Sequence, residues 1–258
     1  MGEKKREFEH RTCASLPRSA PTRHLLAVKL AILLLAAGRG LRMETDTPKA
    51  FLPVRGRTLL SRSLARLAAL GGDATAVIAV RPGDRVRYLD PISSELDSVM
   101  ATTVVEGGET RLDSMRRALS ACDPDRELIL IHDAARPFFP VGAARDAMHR
   151  AMEVGAALLA VPSADTLKRV SDEFRVIETL ERQGIWLAQT PQIIKRPLLE
   201  KGLESALGDL RTATDDVALL EAIDAPIAVV RGSNRNIKIT TREDLALAEL
   251  IADLEDGR

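Results

Sequence analysis

The segment AAGRGLRMETDTPK, residues 36–49, combines flexible backbone with two cations directly after the apolar run AILLL. Gly38 and Gly40 have no Cβ, so their backbone amides can approach a phosphate closely. Arg42 can grip a phosphate with its forked guanidinium, and Lys49 adds a compact positive charge. Neither the dinucleotide fingerprint nor a P-loop is complete here. The segment therefore predicts a loop that receives a small, highly charged anion, although both cations could instead be merely solvated.

The segment VVEGGETRLDSM, residues 104–115, places a glycine pair between a strand-like run and a helical pattern. Gly107 and Gly108 favour a sharp turn, and a helix that opens near Glu109 offers free backbone amides to a polar ligand. Ser114 adds a hydroxyl that could contact the heteroatoms of a ligand. An ordinary joint between a strand and a helix explains the same residues equally well.

The segment IHDAARPFF, residues 131–139, puts a carboxylate where an apolar strand ends. Asp133 at such a position, beside phosphates, is typical of a Mg²⁺ ligand. Arg136 could bind a ligand phosphate or pair with Asp133. A purely structural Asp–Arg pair that ties down the loop remains the competing interpretation.

Further polar residues follow at wider spacing. Thr166, Arg182 and Lys238 each contribute one donor or cation, and each alone is more often surface than site. Asp215 and Asp216 have the character of residues that begin a helix.

The elements that must position these groups follow from the hydrophobic pattern. Apolar runs occur at 31–37, 75–80, 100–105, 127–133 and 156–162, and helical patterns separate them. This alternation predicts an α/β fold, with a single Rossmann-like, doubly wound and mostly parallel sheet covered on both faces. Ligands of such sheets bind beyond the carboxyl ends of the strands, which is where the segments described above lie.

The stretch from about 165 to 190 departs from this rhythm. Its β-branched residues surround the turn-like SDE, which predicts a protruding β-hairpin arm. Helical patterns resume at 197–207 and 215–223, and a last one runs from 242 to about 253.

Composition excludes several classes of function. Lys and Arg number 37 against 37 Asp and Glu, and aromatics make up 3% of the 258 residues. No basic or base-stacking footprint points to nucleic acid. Cys13 and Cys122 are the only cysteines, which fits a reducing cytoplasm and gives no metal spacing. We expect a cytoplasmic protein with neither a nucleic-acid nor a membrane partner.

The N-terminal region allows two interpretations. Residues 1–28 have the composition of a flexible extension that precedes one domain over 29–258. Residues 24–37 could be the apolar core of a signal peptide. Lys29 interrupts that run, which is also too short to span a membrane, so we favour a buried parallel strand that leads into the glycine loop.

Taken together, ordered segments along residues 29–252 resemble one known family. The chain is similar to the 2-C-methyl-D-erythritol 4-phosphate cytidylyltransferases of the non-mevalonate isoprenoid pathway. The resemblance is carried by AAGRGLRMETDTPKAFL, EGGETRLDSM, IHDAARP, DTLKR, LAQTPQ, TDDVALLE and NIKITTREDLALAE. The glycine loop is shared with other sugar-phosphate nucleotidyltransferases, whereas HDAARP followed by NIKIT narrows the match to this branch.

The resemblance implies transfer of CMP from CTP to the 4-phosphate of methylerythritol, with release of pyrophosphate, by a homodimer that uses Mg²⁺ or another divalent cation. It implies a nucleotidyltransferase domain over 29–258. It gives catalytic roles to Arg42, Lys49, Arg182 and Lys238, and a metal role to Asp133. Nucleotide contacts fall on Ala36, Ala37, Gly38, Gly108, Glu109 and Ser114. Contacts to the polyol phosphate fall on Asp133, Arg136, Thr166, Arg182 and Lys238, some of them reaching across the dimer through the arm.

Two positions depart from the family pattern. Leu35 stands where many members have proline, and Glu109 replaces a more usual aspartate at a position that contacts ribose. Two rival functions also stay open. One is a cytidylyltransferase for another polyol phosphate, such as ribitol 5-phosphate, and the other is a non-catalytic nucleotide-binding protein on the same fold.

Overall fold

The structure, a computed structural model, describes residues 28–38, 43, 45–205 and 215–257. Gly40, Arg42 and nearly all of the predicted extension 1–28 lie outside the described residues. Within them the chain forms an α/β structure with a mostly parallel central sheet and a separate antiparallel hairpin, which confirms the predicted fold class. No described helix is both long enough and apolar enough to cross a bilayer.

The strands, in chain order, are β1 (Lys29–Leu35), β2 (Pro53–Val54), β3 (Arg57–Thr58), β4 (Asp73–Val80), β5 (Thr102–Glu106), β6 (Leu128–Asp133), β7 (Ala156–Pro162), β8 (Leu167–Val170), β9 (Val176–Leu180), β10 (Trp186–Lys195) and β11 (Ala228–Arg231). The α-helices are α1 (Leu59–Ala68), α2 (Ser93–Val99), α3 (Arg111–Ser120), α4 (Val141–Val154), α5 (Arg196–Ser205), α6 (Ala218–Glu221) and α7 (Arg242–Asp256).

The central sheet has seven strands in the order β11-β7-β10-β6-β1-β4-β5. Its neighbours run parallel except at β10, which is antiparallel to both β6 and β7. The register of β10 against β7 shifts between Ala188 and Gln192. Strands β8 and β9 pair antiparallel in a sheet of their own, and this hairpin lies inside the predicted arm interval, which also contains the start of β10.

Strand β1 shows why the sheet is covered on both faces. Leu30, Ile32 and Leu34 pack into one apolar cluster with residues of α1 and α4. Ala31 and Leu33, pointing the other way, pack into a second cluster with residues of α3 and α5. Side chains alternate between the faces of a strand, so a continuous apolar run is what a strand buried on both faces requires. Residues 29–35 are thus a central strand, as we predicted in preference to a signal peptide.

A third cluster joins the C-terminal helix to the rest of the domain. Ala248, Ile251 and Ala252 of α7 pack with residues that include Val54 and Phe138. Helix α7 begins with a capping box, in which the Thr241 side chain and Asp244 satisfy each other's backbone amides. This packing fixes the segment before α7, which carries Lys238, against the carboxyl end of β6, where the Ile239 amide donates to the Ala135 carbonyl over 2.9 Å.

Candidate active site

A cleft of about 890 Å³ opens at the carboxyl ends of β1, β4 and β6. The chain brings most of the predicted site residues together around it, although they come from widely separated segments. The predicted residues that line it are Ala36, Ala37, Gly38, Lys49, Gly108, Glu109, Ser114, Asp133 and Lys238. Both described ends of the segment 36–49, the glycine turn and the carboxylate therefore share one space.

The glycine turn is held tightly to the start of α3. A Cβ on Gly107 would overlap Ala37 and lie 2.9 Å from Ser114 Oγ, and a Cβ on Gly108 would overlap the side chain of Asp113. Close packing therefore requires both glycines, whose backbone φ angles are ordinary. Ser114 is buried, and its hydroxyl accepts from the Gly108 amide over 3.1 Å while donating to the Thr110 carbonyl over 3.0 Å. In the structure, the Ser114 hydroxyl stabilises the turn that forms one wall of the cleft.

Asp133 lies on the floor of the cleft between two cations. Lys238 Nζ is 2.7 Å from Asp133 Oδ2, while Arg111 Nε and Nη2 donate to Oδ1 over 3.2 and 3.1 Å. Burial alone would raise the pKa of Asp133, but the charges of Arg111 and Lys238 outweigh it and hold that pKa well below its usual range. Asp133 is therefore a fixed carboxylate anion.

The arginine that pairs with Asp133 is Arg111. Of the two roles left open for Arg136, a partner of Asp133 or a ligand of a substrate phosphate, the structure does not show the first. Arg111 also donates through Nη1 to Asp216, a buried carboxylate on the turn before α6. Arg136 instead directs Nη1 to the Asn236 carbonyl at 2.8 Å, and its buried Nε has no hydrogen-bond partner among the described residues. Burial lowers the pKa of the Arg136 guanidinium, against the opposing field of Asp133.

A buried network behind Asp133 holds its backbone. The Asp133 amide donates to Thr190 Oγ1 over 3.1 Å, and Thr190 Oγ1 lies 2.9 Å from His132 Nδ1. His132 Nε2 faces the Arg136 carbonyl at 3.1 Å. Because a carbonyl only accepts, Nε2 carries the proton and Nδ1 accepts from the threonine hydroxyl. Burial lowers the pKa of His132 to about 3, so the ring is neutral near pH 7.

A smaller hollow of about 210 Å³ adjoins the cleft and shares Arg111, Asp133 and Lys238 with it. Arg136 and Thr190 are among its other lining residues. Arg136 thus lines a hollow whose wall contains the same carboxylate as the cleft. The two cavities together give room for two anionic groups next to Asp133.

Thr166 and Arg182 lie elsewhere, at the base of the arm. Both are exposed, and neither lines the cleft or the hollow in the described part of the chain. Arg182 donates through Nη1 to the Ala164 carbonyl, which closes the base of the hairpin. Within one chain these two residues are therefore not assembled with the others.

The donor set at Asp133 suits a divalent ion that shares its ligands with a substrate. Among the described residues no three or more His, Cys, Asp or Glu side chains converge as a metal cage. Mg²⁺ is commonly held by one or two carboxylates together with substrate phosphates and water. A single anionic carboxylate between two cavities fits that mode of binding, whereas it would not fit a metal held by protein alone.

The family model described as "IspD: 2-C-methyl-D-erythritol 4-phosphate cytidylyltransferase" matches residues 30–253. The chain belongs to this family. The protein of that name from Pelotomaculum thermopropionicum is 36% identical over 230 residues, which cover 89% of this chain and 97% of the relative. The family acts in isoprenoid biosynthesis as nucleotidyltransferases.

Solved structures agree with this assignment. The 4-diphosphocytidyl-2C-methyl-D-erythritol synthase from Anaerococcus prevotii superposes with a TM-score of 0.77 at 29% identity, covering 90% of this chain and 100% of that one. The 2-C-methyl-D-erythritol 4-phosphate cytidylyltransferase from Thermus thermophilus gives a TM-score of 0.72 at 34% identity, covering 87% of this chain and 99% of that one.

Sequence reasoning missed three residues of the site: Arg111, Thr190 and Asp216. Arg111 and Asp216 lie inside segments that we had singled out, so their location was signalled while their partners were not. Thr190 lies within the register shift of β10, between Ala188 and Gln192. Its segment LAQTPQ contributes to the family resemblance but gave it no role.

Proposed function

We propose that the chain transfers CMP from CTP to 2-C-methyl-D-erythritol 4-phosphate in the cytoplasm. The oxygen of the 4-phosphate forms a bond to the α-phosphorus of CTP, and the bond from that phosphorus to pyrophosphate breaks. The observation that carries the proposal is the convergence of Lys49, Lys238 and Asp133 with the glycine turn around one cleft.

The nucleotide lies in this cleft with its base and ribose against the glycine turn. Backbone groups of Ala36, Ala37 and Gly108 approach the base and ribose, since their small side chains leave room. Glu109, exposed at the same wall, reaches the ribose through a longer side chain than the family's usual aspartate. The triphosphate then runs along the loop that ends at Lys49, with Arg42 as a further contact.

The barrier comes chiefly from bringing two highly anionic phosphates together. The attacking 4-phosphate oxygen is already an anion, so the reaction does not require a general base to remove a proton from it. Lys49 and Lys238 lower the repulsion and stabilise the charge on the α-phosphoryl group in the transition state. Holding the phosphate oxygen in line with the leaving pyrophosphate supplies up to ~7–11 kcal/mol of the remaining barrier reduction.

Asp133 would hold the divalent cation, Mg²⁺ in our proposal. When bound, this ion supplies Lewis-acid neutralisation of the phosphate oxygens. The residues of the chain orient the reactants around it. Arg111 fixes one Asp133 oxygen, the Thr190 network fixes the Asp133 backbone, and Arg136 binds the polyol phosphate from the adjoining hollow.

The arm supports a homodimer in which Thr166 and Arg182 serve the cleft of the partner subunit. Large apolar side chains of the hairpin are exposed to solvent. Phe174 is 92% exposed, and Val176 and Ile177 are each 61% exposed. Exposed apolar side chains grouped on one element mark an interaction surface. A symmetric pairing of arms would cover them and carry each Arg182 beyond its own subunit.

The substrate is tested by following pyrophosphate release from CTP with purified chain and Mg²⁺. Methylerythritol 4-phosphate should turn over with the highest kcat/KM in a series that includes ribitol 5-phosphate. A higher kcat/KM for ribitol 5-phosphate would show that the chain is a cytidylyltransferase for that polyol phosphate instead. Calorimetric binding of CTP without turnover of any polyol phosphate would show a nucleotide-binding protein instead.

The shared site is tested by subunit complementation. Lys49→Ala removes a cleft residue and Arg182→Ala removes an arm residue, so each homodimer should be impaired. Mixed dimers contain one site with both residues intact, and random mixing should recover about a quarter of wild-type activity. If no activity returns although native mass spectrometry shows exchanged dimers, Arg182 acts in its own subunit. Full activity of the Arg182→Ala homodimer would instead remove Arg182 from the site.

A further inference from the structure

Both oxygens of the Asp133 carboxylate are occupied by protein cations. Arg111 holds Oδ1 and Lys238 holds Oδ2. The described residues offer no cluster of three or more alternative metal-ligating side chains, so a divalent ion at this floor needs an Asp133 oxygen. The two cations repel a divalent ion that approaches this carboxylate, so the ion binds there tightly only when one of them moves away.

The two cations differ in how firmly they are held. Arg111 makes two hydrogen bonds to Asp133 and a third to Asp216, whose side chain is 2% exposed. Removing Arg111 from Asp133 would break a fork of charge-assisted bonds and disturb the buried partner on its other side. The Arg111 guanidinium is thus held by two carboxylates, Asp133 and Asp216.

Lys238 is held much less firmly. Among the described residues it has one ion-pair partner, Asp133, and its side chain is 41% exposed at the edge of the cleft. An ammonium on a flexible four-carbon stem can swing away with little loss, because water or another anion replaces the carboxylate. The same cleft is where the triphosphate would lie, so a phosphate oxygen is the natural new partner.

We propose that Lys238 occupies Asp133 Oδ2 in the nucleotide-free protein and vacates it for a divalent cation only when a substrate phosphate draws the ammonium away. The inference rests on the proposed function, which places the cation at Asp133. It makes cation binding and phosphate binding interdependent: each raises the affinity for the other by the same factor. The free enzyme consequently binds the cation weakly.

The test measures the affinity of the nucleotide-free full chain for Mn²⁺ alone, by loss of the sharp electron paramagnetic resonance signal of free Mn²⁺. Lys238→Met removes the competing charge and keeps the length of the side chain. It should tighten Mn²⁺ binding by about tenfold or more, since a positive charge a few ångströms away is removed. Lys238→Arg keeps the charge and should bind Mn²⁺ like the wild type.

Two controls locate the effect. Lys195→Met removes an exposed lysine at the far end of β10, outside the residues that line the cleft, and should leave Mn²⁺ affinity unchanged. Asp133→Asn added to Lys238→Met should abolish the gain. The proposal is overturned if Lys238→Met binds Mn²⁺ no more tightly than the wild type, if Lys238→Arg shows the same gain, or if the gain survives Asp133→Asn.

Failure here can be told from failure of the proposed function. If the wild type transfers CMP and Asp133→Asn loses Mn²⁺-dependent turnover, the catalytic proposal stands whatever Lys238→Met does to the affinity. An unchanged Mn²⁺ affinity in Lys238→Met then refutes the exchange alone. Absence of CMP transfer by the wild type refutes the function itself.

Discussion

The buried network behind Asp133 makes a sharp prediction for Thr190→Val. Valine has nearly the shape of threonine but no hydroxyl. In the wild type that hydroxyl accepts from the Asp133 amide and donates to His132 Nδ1, and Thr190 is only 5% exposed. The substitution therefore leaves two buried polar atoms without a partner and changes the packing little.

The magnitude follows from those two atoms. Leaving a buried donor or acceptor unsatisfied costs about 1–3 kcal/mol each, so Thr190→Val should lower the free energy of unfolding by about 2–6 kcal/mol. A change of tautomer in His132 does not rescue the variant, because Nε2 must keep its proton for the Arg136 carbonyl. The loss is a large part of a total stability of about 5–15 kcal/mol.

Urea unfolding followed by circular dichroism measures this loss. Thr190→Ser, which keeps the hydroxyl and deletes one methyl group, is the matched control and should lose only about 1 kcal/mol. If valine and serine destabilise equally, methyl packing matters and the network does not. If valine is as stable as the wild type, the hydrogen bonds contribute nothing net and our account of how Asp133 is held is wrong.

Three further predictions concern the cleft and its floor. Lys49→Ala should lower kcat by about 10²–10³ and weaken CTP binding much less, whereas equal loss in both, or none, would remove Lys49 from its role in the transition state. Gly108→Ala should weaken CTP binding in calorimetry because its Cβ overlaps Asp113, whereas Gly142→Ala, which meets no atom within 4 Å, should not. The pKa of His132 is lowered from 6.5 to about 3 in the folded protein, so below pH 6.5 the ring takes up a proton on unfolding. Without divalent cations, the free energy of unfolding should therefore fall on acidification below pH 6.5, at up to about 1.4 kcal/mol per pH unit. His132→Gln should flatten this dependence down to about pH 5, and an unchanged slope would contradict the assigned pKa.

The order of elements was predictable because the sheet is buried on both faces. The run 156–162 contains only apolar residues, and the run 127–133 contains the apolar stretch 128–131. The structure forms strands at both almost residue for residue. The sequence of region 85–96 indicates a partly helical stretch broken at Pro91, and the structure forms a π-helical turn, a 3₁₀ turn that contains Pro91 and the start of α2 there. The types and bounds of these turns could not be read from the sequence. Short irregular helices leave no sustained period in a sequence.

The site was predictable in its location and less so in its pairing. Strand ends in a parallel sheet converge at one edge, so residues next to them were correctly expected to meet. Which arginine would reach Asp133 depends on the direction of α3. The motif HDAARP offered only the neighbour Arg136 as a possible partner and gave no reason to consider the distant Arg111. Asp216 had the features of a residue that begins a helix, a role that the carboxylate of Asp215 fills by accepting from the Ala218 amide over 3.1 Å.

The charge of the cleft explains why a chain of balanced composition can receive two anions. The chain carries equal numbers of acidic and basic residues. The charged side chains that line the cleft are Lys49, Arg81, Arg117, Arg111 and Lys238 against Asp84, Glu109 and Asp133. Asp84 is paired with Arg81, and Asp133 is paired with Arg111 and Lys238, of which Arg111 also pairs with Asp216 behind the cleft. Among the described side chains that line the cleft, cations still outnumber carboxylates. A cleft that focuses such a surplus between low-dielectric walls attracts anions without making the whole surface basic. The chain therefore concentrates its positive charge where the reaction must overcome repulsion.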